Sequence, residues 1–333
     1  MTGITQGYVD TKENWSSPAD LGEGAVDFSA KHSVLIRHFD GSLMPMDEPW
    51  YEAVPVREGV WKVLGDGDYV YLIEGGNEAL AIDTGYGAGN VRTFLQTLTK
   101  LPVRRAANSH DHFDHTANNQ YFEEVFMSAP GAELCSIPFP SFDEVAFDRS
   151  YPKHIVGDGD VIDLGGGVDL EVFYIPDHAI SSLAYLDRTH RILFTGDEVM
   201  PFESGKKRRI RSSVRNLYEN MRKLMTHYDE FDLLCSGGGG ILEKHWIRDI
   251  LECCGHILEH PETAGAPLSG PLPAPPSQKE YDTEGRWIVN RKNGRPGDVK
   301  NKNGEWEYQR AVYCHGMALV YDVRRVEEWD GRI

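Results

Sequence analysis

The amino-acid sequence predicts an α/β fold, in the broad sense that includes α+β proteins, and three observations support this. Short runs of β-branched and aromatic residues recur through the middle of the chain, for example at 60–64 and 191–195. Segments with apolar residues at helical spacing alternate with them, for example at 90–100 and 213–228. The hydrophobic content of 40% over 333 residues is enough to bury the core of one large domain with additions, or of two modest domains.

The predicted elements follow a regular order from residue 60 onward. Two strands that flank a Gly-Asp-Gly-Asp sequence at 65–68 predict a hairpin. The chain then continues with a strand, a helix, a strand, a polar loop and a helix, at 79–82, 90–100, 101–107, 108–115 and 116–122. After a strand at 125–128, a proline-interrupted stretch to about 155 is expected to be irregular. The second half predicts strands at 161–164, 168–175, 183–186, 191–195 and 231–235, with helices at 213–228 and 245–258.

The chain divides into four predicted regions. We expect residues 1–55, which contain scattered prolines, to form an N-terminal arm that packs on the body. Residues 56–260 contain the regular elements and form the main domain. Six prolines between Pro261 and Pro276 mark 261–280 as a linker. The alternating pattern within 281–333 predicts a C-terminal hairpin extension that is part of the same globule.

The formal net charge of −18 limits the classes of partner. An acidic protein repels phosphate backbones, which argues against nucleic acid. No apolar run is long enough to span a bilayer, and the N-terminal residues lack the pattern of a secretory signal. The five cysteines are scattered and odd in number, as expected for reduced thiols. We therefore expect a cytoplasmic protein that acts on a small molecule, without nucleic-acid or membrane partners; a homodimer is compatible with this.

A basic run at 206–211 contrasts with the acidic composition. One interpretation is a solvated loop that precedes the predicted helix at 213–228. The other is a lip that steers anions toward a nearby site.

The sequence at 108–115 concentrates groups that bind metal ions. His110, His112 and His115 share it with Asp111 and Asp114, directly after a predicted strand. On extended backbone His110 and His112 point to the same side, and the turn that follows presents Asp114 and His115 from another direction. Imidazole and carboxylate are ligands of Zn²⁺, Mn²⁺ and Fe²⁺, so this loop can serve two adjacent ions. The alternative is a solvated loop whose aspartates cap a helix.

Three further side chains stand where a predicted strand gives way to a loop: Asp83, His178 and Asp197. A buried carboxylate without a partner is costly, so Asp83 and Asp197 are expected to have a task. Metal sites on sheets are commonly built in this way, because rigid strands hold the ligands of neighbouring loops in fixed geometry.

In these motifs the chain resembles the metallo-β-lactamase fold superfamily, from about residue 60 to residue 258. The motifs occur in the family's order: Ile82-Asp83-Thr84-Gly85, His110-x-His112-x-Asp114-His115, Pro176-Asp177-His178, Phe194-Thr195-Gly196-Asp197, and the glycine run at 236–240. The resemblance implies a four-layer αββα sandwich of two mixed β-sheets flanked by helices. It also makes 56–260 the catalytic domain.

The resemblance implies two neighbouring metal positions. The implied ligands are His110, His112 and His178 for a first ion, Asp114 and His115 for a second, and Asp197 between the two. Asp83 would fix a ligand histidine through a hydrogen bond. The expected cofactor is Zn²⁺, as one ion or two, with Mn²⁺ or Fe²⁺ as alternatives.

The glycine run departs from the family pattern. The family closes its second metal position with the histidine of Pro-Gly-His-Gly, and here a glycine, which we assign as Gly238, stands in that place. Four arrangements are open: the second ion binds through the remaining ligands with water or substrate, the enzyme uses one ion, His245 or His315 supplies the ligand, or the site is degenerate. The missing imidazole is expected to leave volume for a substrate group, in a pocket that includes Gly238, Tyr313 and His315.

The activity that the resemblance implies is hydrolysis. A metal-bound hydroxide would attack the carbonyl of a small ester, lactone, amide or thioester, with Asp114 and Asp197 as catalytic carboxylates. Asp114 would pass a proton to the leaving group. A mononuclear iron dioxygenase on the same fold is one alternative, and a non-catalytic metal-binding or sensor module is another.

Overall fold

Two mixed β-sheets form the centre of the protein. The structure, a computed structural model, describes residues 5–8, 34–37, 43–45, 50–64, 69–85, 87, 89–135, 149–200, 207–267, 280–281, 283, 287–289, 308–329 and 331. The first sheet contains, in spatial order and numbered along the chain, β1 (Thr5–Tyr8), β4 (Trp50–Arg57), β5 (Val60–Leu64), β6 (Val70–Glu74), β7 (Ala79–Ile82), β8 (Val103–Ala107), β9 (Glu124–Met127) and β10 (Lys153–Ile155). Its neighbours are antiparallel from β1 to β7 and parallel from β7 to β10.

The second sheet is also mixed. It contains, in spatial order, β11 (Val161–Asp163), β12 (Asp169–Tyr174), β13 (Leu183–Asp187), β14 (Ile192–Gly196), β16 (Leu233–Ser236) and β17 (Gly240–Glu243). Only β14 and β16 pair in parallel within it. Their carboxyl ends therefore lie at the same edge of the sheet, next to the loops that follow Gly196 and Ser236.

Strand β13 shows how the two sheets pack face to face. All five of its residues are buried, because successive side chains point to opposite faces of the sheet and both faces are covered. Leu183 and Tyr185 belong to the core between the two sheets, which also contains Tyr71 of β6. Ala184 and Leu186 belong to the core beneath the outer helices. Burying one large apolar side chain such as Leu186 stabilises the fold by about 1.5–3 kcal/mol.

Helices cover both outer faces. Those of the described chain are α1 (Val91–Leu98), α2 (Phe113–Thr116), α3 (Ala129–Leu134), α4 (Val214–Met225) and α5 (His245–Glu259). Helix α1 buries Val91, Phe94 and Leu95 against the first sheet, and α4 and α5 bury their apolar faces in the core of the second. The layers are thus helix, sheet, sheet and helix, and the predicted αββα sandwich is confirmed.

Two small sheets join distant parts of the chain. One contains, in spatial order, β15 (Lys207–Arg209), β22 (Met317–Asp322), β21 (Gln309–Cys314) and β18 (Ala266–Pro267), and the other β19 (Glu280–Tyr281), β20 (Trp287–Val289), β2 (Val34–Arg37) and β3 (Leu43–Pro45). Leu319 and Tyr321 of β22 are fully buried in the core that α4 and α5 share. The C-terminal hairpin is therefore part of the packing of the second sheet. Strand β1 pairs with β4 of the first sheet, and β2 pairs with β20 of the C-terminal region.

Several local elements differ from the sequence-based expectation. Strand β4 lies across the boundary that we placed after residue 55, and it pairs antiparallel with β5. The stretch expected to be irregular up to about 155 contains α3 and β10. The helix expected at 116–122 is instead the short α2 followed by a 3-10 turn at Asn119–Tyr121. The hairpin pairing of β5 with β6 is as predicted, although its turn at 65–68 lies outside the described residues.

Two of the five cysteines meet in the fold. Cys253 of α5 and Cys314 of β21 have their Cα atoms 6.2 Å apart, a separation that a disulfide can span, whereas Cys135, Cys235 and Cys254 are free and buried. The two partners are 61 residues apart in sequence, so their meeting depends on how the hairpin packs on α5 and no spacing rule reveals it. Among the helices in the described ranges, none has the length and apolar character needed to cross a bilayer.

Candidate metal centre

The histidine-rich loop between β8 and α2 is held from below by buried polar side chains. The side-chain nitrogen of Asn108 donates to the backbone carbonyl of His115 at 3.1 Å. The backbone carbonyl of Asn108 accepts from the hydroxyl of Tyr185 at 2.6 Å. Asp83 accepts from the backbone nitrogen and the hydroxyl of Ser109, each at 2.7 Å. The loop therefore leaves the end of β8 in a fixed conformation rather than as a solvated segment.

Three histidines converge at the edge between the two sheets. His110 and His112 come from the loop after β8, and His178 comes from the loop after β12. One ring nitrogen from each lies within 4.8 Å of the others. His110 is buried and His112 and His178 are half-buried, so the group is open to solvent on one side.

The environment of His110 fits a metal ligand. Its Nδ1 lies 3.0 Å from the hydroxyl of Ser109, which leaves Nε2 to face the other histidines. That Nε2 is buried and has no hydrogen-bond partner among the described residues, which is costly unless a ligand satisfies it. Burial, followed by the charges of His115, His112 and His178, holds the pKa of His110 well below its usual value. A neutral imidazole is the form that binds a metal ion.

A second group of ligands lies beside the first and shares His110 with it. His110, His115 and Asp197 each offer an atom within 4.8 Å of the others. The Nε2 atom of His115 lies 3.8 Å from Oδ1 of Asp197 and 4.0 Å from Oδ1 of Asp114. Its other nitrogen, Nδ1, lies 2.9 Å from Oδ2 of Asp83, so Asp83 orients the ring.

The electrostatics of the second group are opposite to those of the first. Burial alone lowers the pKa of His115, but the carboxylates of Asp83, Asp197 and Asp114 together raise that pKa well above its usual value. This many carboxylates around one buried ring favour a positive charge at their centre. A metal cation supplies such a charge, and the residues present therefore fit a divalent ion.

Asp197 stands between the two groups. Its Oδ2 lies 3.7 Å from Nε2 of His178, and its Oδ1 faces His115. The backbone nitrogen of Gly238 donates to the same Oδ1 at 2.9 Å. Asp197 directly follows the end of β14, and Gly238 follows the end of the parallel β16, so the pairing of these strands brings them together.

Two glycines of the run at 236–240 lie against the second group. A Cβ atom built on Gly237 would come within 2.6 Å of Cε1 of His115 and 2.7 Å of Oδ1 of Asp197. The main chain at Gly237 is therefore in contact with the ligands, and this position has no room for a side chain. Gly238 contributes its backbone N–H to Asp197 in place of a side chain.

The histidines considered as replacement ligands have partners elsewhere. His315 lies at the tip of the C-terminal hairpin, with Nε2 2.8 Å from Glu252 on the outer helix α5. His245 lies 3.1 Å from Glu243. Tyr313 is 65% exposed on β21. His245 and His315 are thus paired with carboxylates and belong to neither of the two ligand groups that the described residues form.

A buried ion cluster beneath His178 was not predicted. Arg208 donates to Asp177 at 2.7 Å and to Glu198 at 2.9 Å, and all three side chains are buried. Glu198 accepts from the backbone nitrogens of Asp177 and His178 at 2.9 and 2.7 Å, so it fixes the backbone from which His178 projects. Burial, with a smaller contribution from the charge of Asp177, raises the pKa of Glu198 to about 7.

This cluster also changes the interpretation of the basic run at 206–211. Arg208 is a buried structural cation, Arg209 is exposed, and Arg211 is half-buried, so neither a uniformly solvated loop nor a uniform basic lip describes the run. Lys206 lies outside the described residues. A usable signal was present in the sequence, since two carboxylates at strand ends, Asp177 and Glu198, require a cation if both are buried.

Comparison with known proteins decides the family. The model of the metallo-beta-lactamase superfamily matches residues 65–231, just over half of the chain. This chain belongs to the metallo-beta-lactamase superfamily. The matched range contains all the histidines and aspartates of the two ligand groups.

Curated relatives of this superfamily member are enzymes. Acyl-coenzyme A thioesterase MBLAC2 of Gallus gallus is 27% identical over 184 residues, 45% of this chain and 66% of that protein. The protein of the same name from Homo sapiens is 26% identical over 187 residues, 45% of this chain and 67% of that protein. Hydroxyacylglutathione hydrolase of Bdellovibrio bacteriovorus is 26% identical over 210 residues, 62% of this chain and 73% of that protein. The chain thus spans about two thirds of the thioesterases' length.

Solved structures of the superfamily cover a similar part of the chain. A metallo-beta-lactamase from Pontibacter korlensis superimposes with a TM-score of 0.49 at 18% identity, over 62% of this chain and 99% of that one. A metallo-beta-lactamase from Hirschia baltica gives a TM-score of 0.47 at 15% identity, over 61% of this chain and 96% of that one.

Proposed function

We propose that this protein is a metal-dependent hydrolase whose substrates are thioesters. The observation that carries the proposal is the convergence of His110, His112 and His178 beside a carboxylate-rich group around His115. The donor set is that of a Zn²⁺ site, with Mn²⁺ or Fe²⁺ as alternatives. When bound, such an ion activates water for attack on a carbonyl carbon and stabilises the charge that develops on the carbonyl oxygen.

The protein's own residues prepare this chemistry. Asp83 and Ser109 hold the rings of His115 and His110, and Glu198 holds the backbone of His178. Burial keeps His110 in the neutral state that a ligand needs. The half-buried side of the three-histidine group is the direction from which a substrate approaches. We assign Asp114, which is also half-buried, as the carboxylate that moves a proton between water and product.

A thioester is favoured over the other carbonyl substrates for two reasons. Relatives from chicken and man are named as acyl-coenzyme A thioesterases, and a third relative is named as a hydrolase of hydroxyacylglutathione. A thiol has a pKa of about 8.5, so it leaves as a thiolate without a strong general acid. One carboxylate, Asp114, is then sufficient for proton transfer, whereas an amine leaving group demands protonation.

The test compares a thioester, an oxoester, a lactone and an amide that share one acyl group. We expect turnover of the thioester to exceed that of the others. His112→Ala is expected to lower this turnover by about three orders of magnitude or more, together with a loss of bound metal, because a ligand of the reactive ion is gone. The matched control is His245→Ala, which removes a histidine outside the site.

Three results would contradict the proposal. Turnover that survives in His112→Ala would exclude the assigned centre. One iron per chain with oxygen consumption during turnover would favour the dioxygenase alternative, and metal binding without turnover of any of the four substrates would favour a sensor module.

A further inference from the structure

Two arginines beside the metal centre, Arg208 and Arg211, have different partners. Arg208 is neutralised by Asp177 and Glu198. Arg211 is only three residues further along, yet no carboxylate among the described residues forms a hydrogen bond or ion pair with its guanidinium. Its backbone nitrogen donates to Asp177 at 3.1 Å, and the backbone nitrogen of Ser212 donates to the same oxygen at 3.0 Å. The loop that carries Arg211 is therefore fixed next to His178, although the guanidinium is not used in fixing it.

The charge of Arg211 acts on the metal centre. Burial and neighbouring histidines are larger causes of the lowered pKa values of His110 and His178, and the positive charge of Arg211 adds to both. Arg211 in turn interacts electrostatically with Asp177, Glu198 and Asp197. The backbone of Arg211 is fixed against Asp177, the sequence neighbour of His178, so its side chain starts beside these residues.

Among the described residues, the carboxylates near Arg211 are committed to other partners. Asp177 accepts hydrogen bonds from Arg208 and from the backbone of the Arg211 loop, and Glu198 is held by Arg208 and by backbone nitrogens. Burial lowers the pKa of Arg211, but a guanidinium remains charged at neutral pH. Its partial removal from water is costly, and a bound anion would recover that cost.

We propose that Arg211 binds a carboxylate on the acyl group of the substrate and thereby selects thioesters of acidic acyl groups. This inference rests on the proposed thioester hydrolysis. A planar guanidinium matches a carboxylate through two parallel hydrogen bonds. The acyl side is favoured because Arg211 acts on residues of the reactive centre, whereas the phosphates of a carrier such as coenzyme A lie many bonds from the thioester.

The kinetic test uses two thioesters of N-acetylcysteamine, a carrier without phosphate. One carries a glutaryl group and the other the neutral pentanoyl group of the same length. Wild type is expected to prefer the glutaryl thioester. Arg211→Met should lower kcat/KM for it by about 30-fold or more, mainly through KM, because a desolvated charge pair is lost. The same variant should lower kcat/KM for the pentanoyl thioester much less, so that the ratio of the two kcat/KM values falls by about 10-fold or more.

The matched control is Arg209→Met, which removes an exposed arginine of the same basic run. It should change kcat/KM for neither substrate. Arg211→Lys should recover part of the glutaryl preference, since it keeps the charge without the planar fork. Equal losses on both substrates would overturn the proposal. A loss seen only with coenzyme A thioesters, whatever the acyl group, would assign Arg211 to a carrier phosphate and would also overturn it.

A binding measurement separates this inference from the proposed activity. Calorimetry with the protein as purified should show tighter binding of glutaramate, which has the distal carboxylate and a neutral amide in place of the thioester, than of pentanamide, which has no carboxylate. Arg211→Met should abolish the difference. If no thioester is hydrolysed but this difference is present, the anion site stands and the proposed activity falls. If thioesters are hydrolysed and the difference is absent, the activity stands and the role of Arg211 falls.

Discussion

The two ligand groups of this centre share one loop and one histidine, yet they differ in charge and in how they are closed. The first consists of three imidazoles, and the pKa values of His110 and His178 are lowered, chiefly by burial. The second surrounds His115 with carboxylates that raise its pKa, and the backbone at Gly237 packs directly against it. The comparison teaches that one loop can build an open, neutral site and a closed, anionic site side by side.

Removing the shared histidine should have the largest effect. His110→Ala takes a ligand from both groups at once, so we expect metal content near zero and a loss of turnover of about three orders of magnitude or more. Elemental analysis measures the metal content, and thioester kinetics measure the turnover. His154→Ala, on the exposed edge strand β10, is the control. Retention of one full ion in His110→Ala would show that the groups do not depend on a common ligand.

Asp83→Asn should lower the metal affinity of the two ligand groups to different extents. Asp83 accepts from Ser109 and contacts Nδ1 of His115, and the amide nitrogen of Asp83→Asn cannot replace the second accepting oxygen. A lost partner of this kind lowers metal affinity by about 10- to 100-fold. We expect that loss for the ion held by His115, measured by competition with a chelator. An equal loss of all bound metal would mean that the two groups act as one.

Replacing Gly237 by alanine should displace the ligands that pack against it. The Cβ atom of Gly237→Ala would meet His115 and Asp197 at 2.6 and 2.7 Å, so those ligands must move. Overpacking of this kind costs about 1–3 kcal/mol in the free energy of unfolding. Urea denaturation measures it, and metal content of the variant shows whether the second group is lost. Gly157→Ala is the control, because no atom lies within 4 Å of a Cβ at that position.

The pH dependence of stability should report on the cluster beneath His178. In the metal-free protein the pKa of Glu198 is raised from 4.5 to about 7, so the folded chain keeps a proton that the unfolded chain has released. The free energy of unfolding should therefore fall as pH rises through this window, by about 1–3 kcal/mol. Denaturation at pH 5 and pH 7.5 measures the change, and Glu198→Gln should reduce it. A free energy that rises with pH, with the same slope in Glu198→Gln, would contradict the assignment.

The sequence was sufficient for the parts of the centre that short motifs encode. The histidine-rich loop and the strand-end positions of His178 and Asp197 follow from local pattern, and the structure brings them together. The cluster of Arg208 with Asp177 and Glu198 follows from no such motif. The two carboxylates indicate that a cation is needed if both are buried, but Asp177 and Glu198 lie in two loops and Arg208 in β15, so their pairing depends on packing rather than on spacing.

Two further details depend on packing and not on local pattern. Strand β4 contains Pro55, which reads as a strand breaker, but Pro55 lies beside an irregularity in the register with β5, where a proline is tolerated. The choice between Gly237 and Gly238 depends on the turn that links β16 to β17. A run of identical residues does not reveal which of them approaches a neighbour.

The contact of Gly237 with the carboxylate-rich group limits how this centre can be re-engineered. A histidine at 237 would place its first side-chain carbon against the side chains of His115 and Asp197, the groups that it would have to join at an ion. The turn is also fixed from outside, because the backbone nitrogen of Tyr69 donates to the carbonyl of Gly237 at 2.8 Å. A new ligand would therefore need a different path of the β16–β17 turn as well as a new side chain.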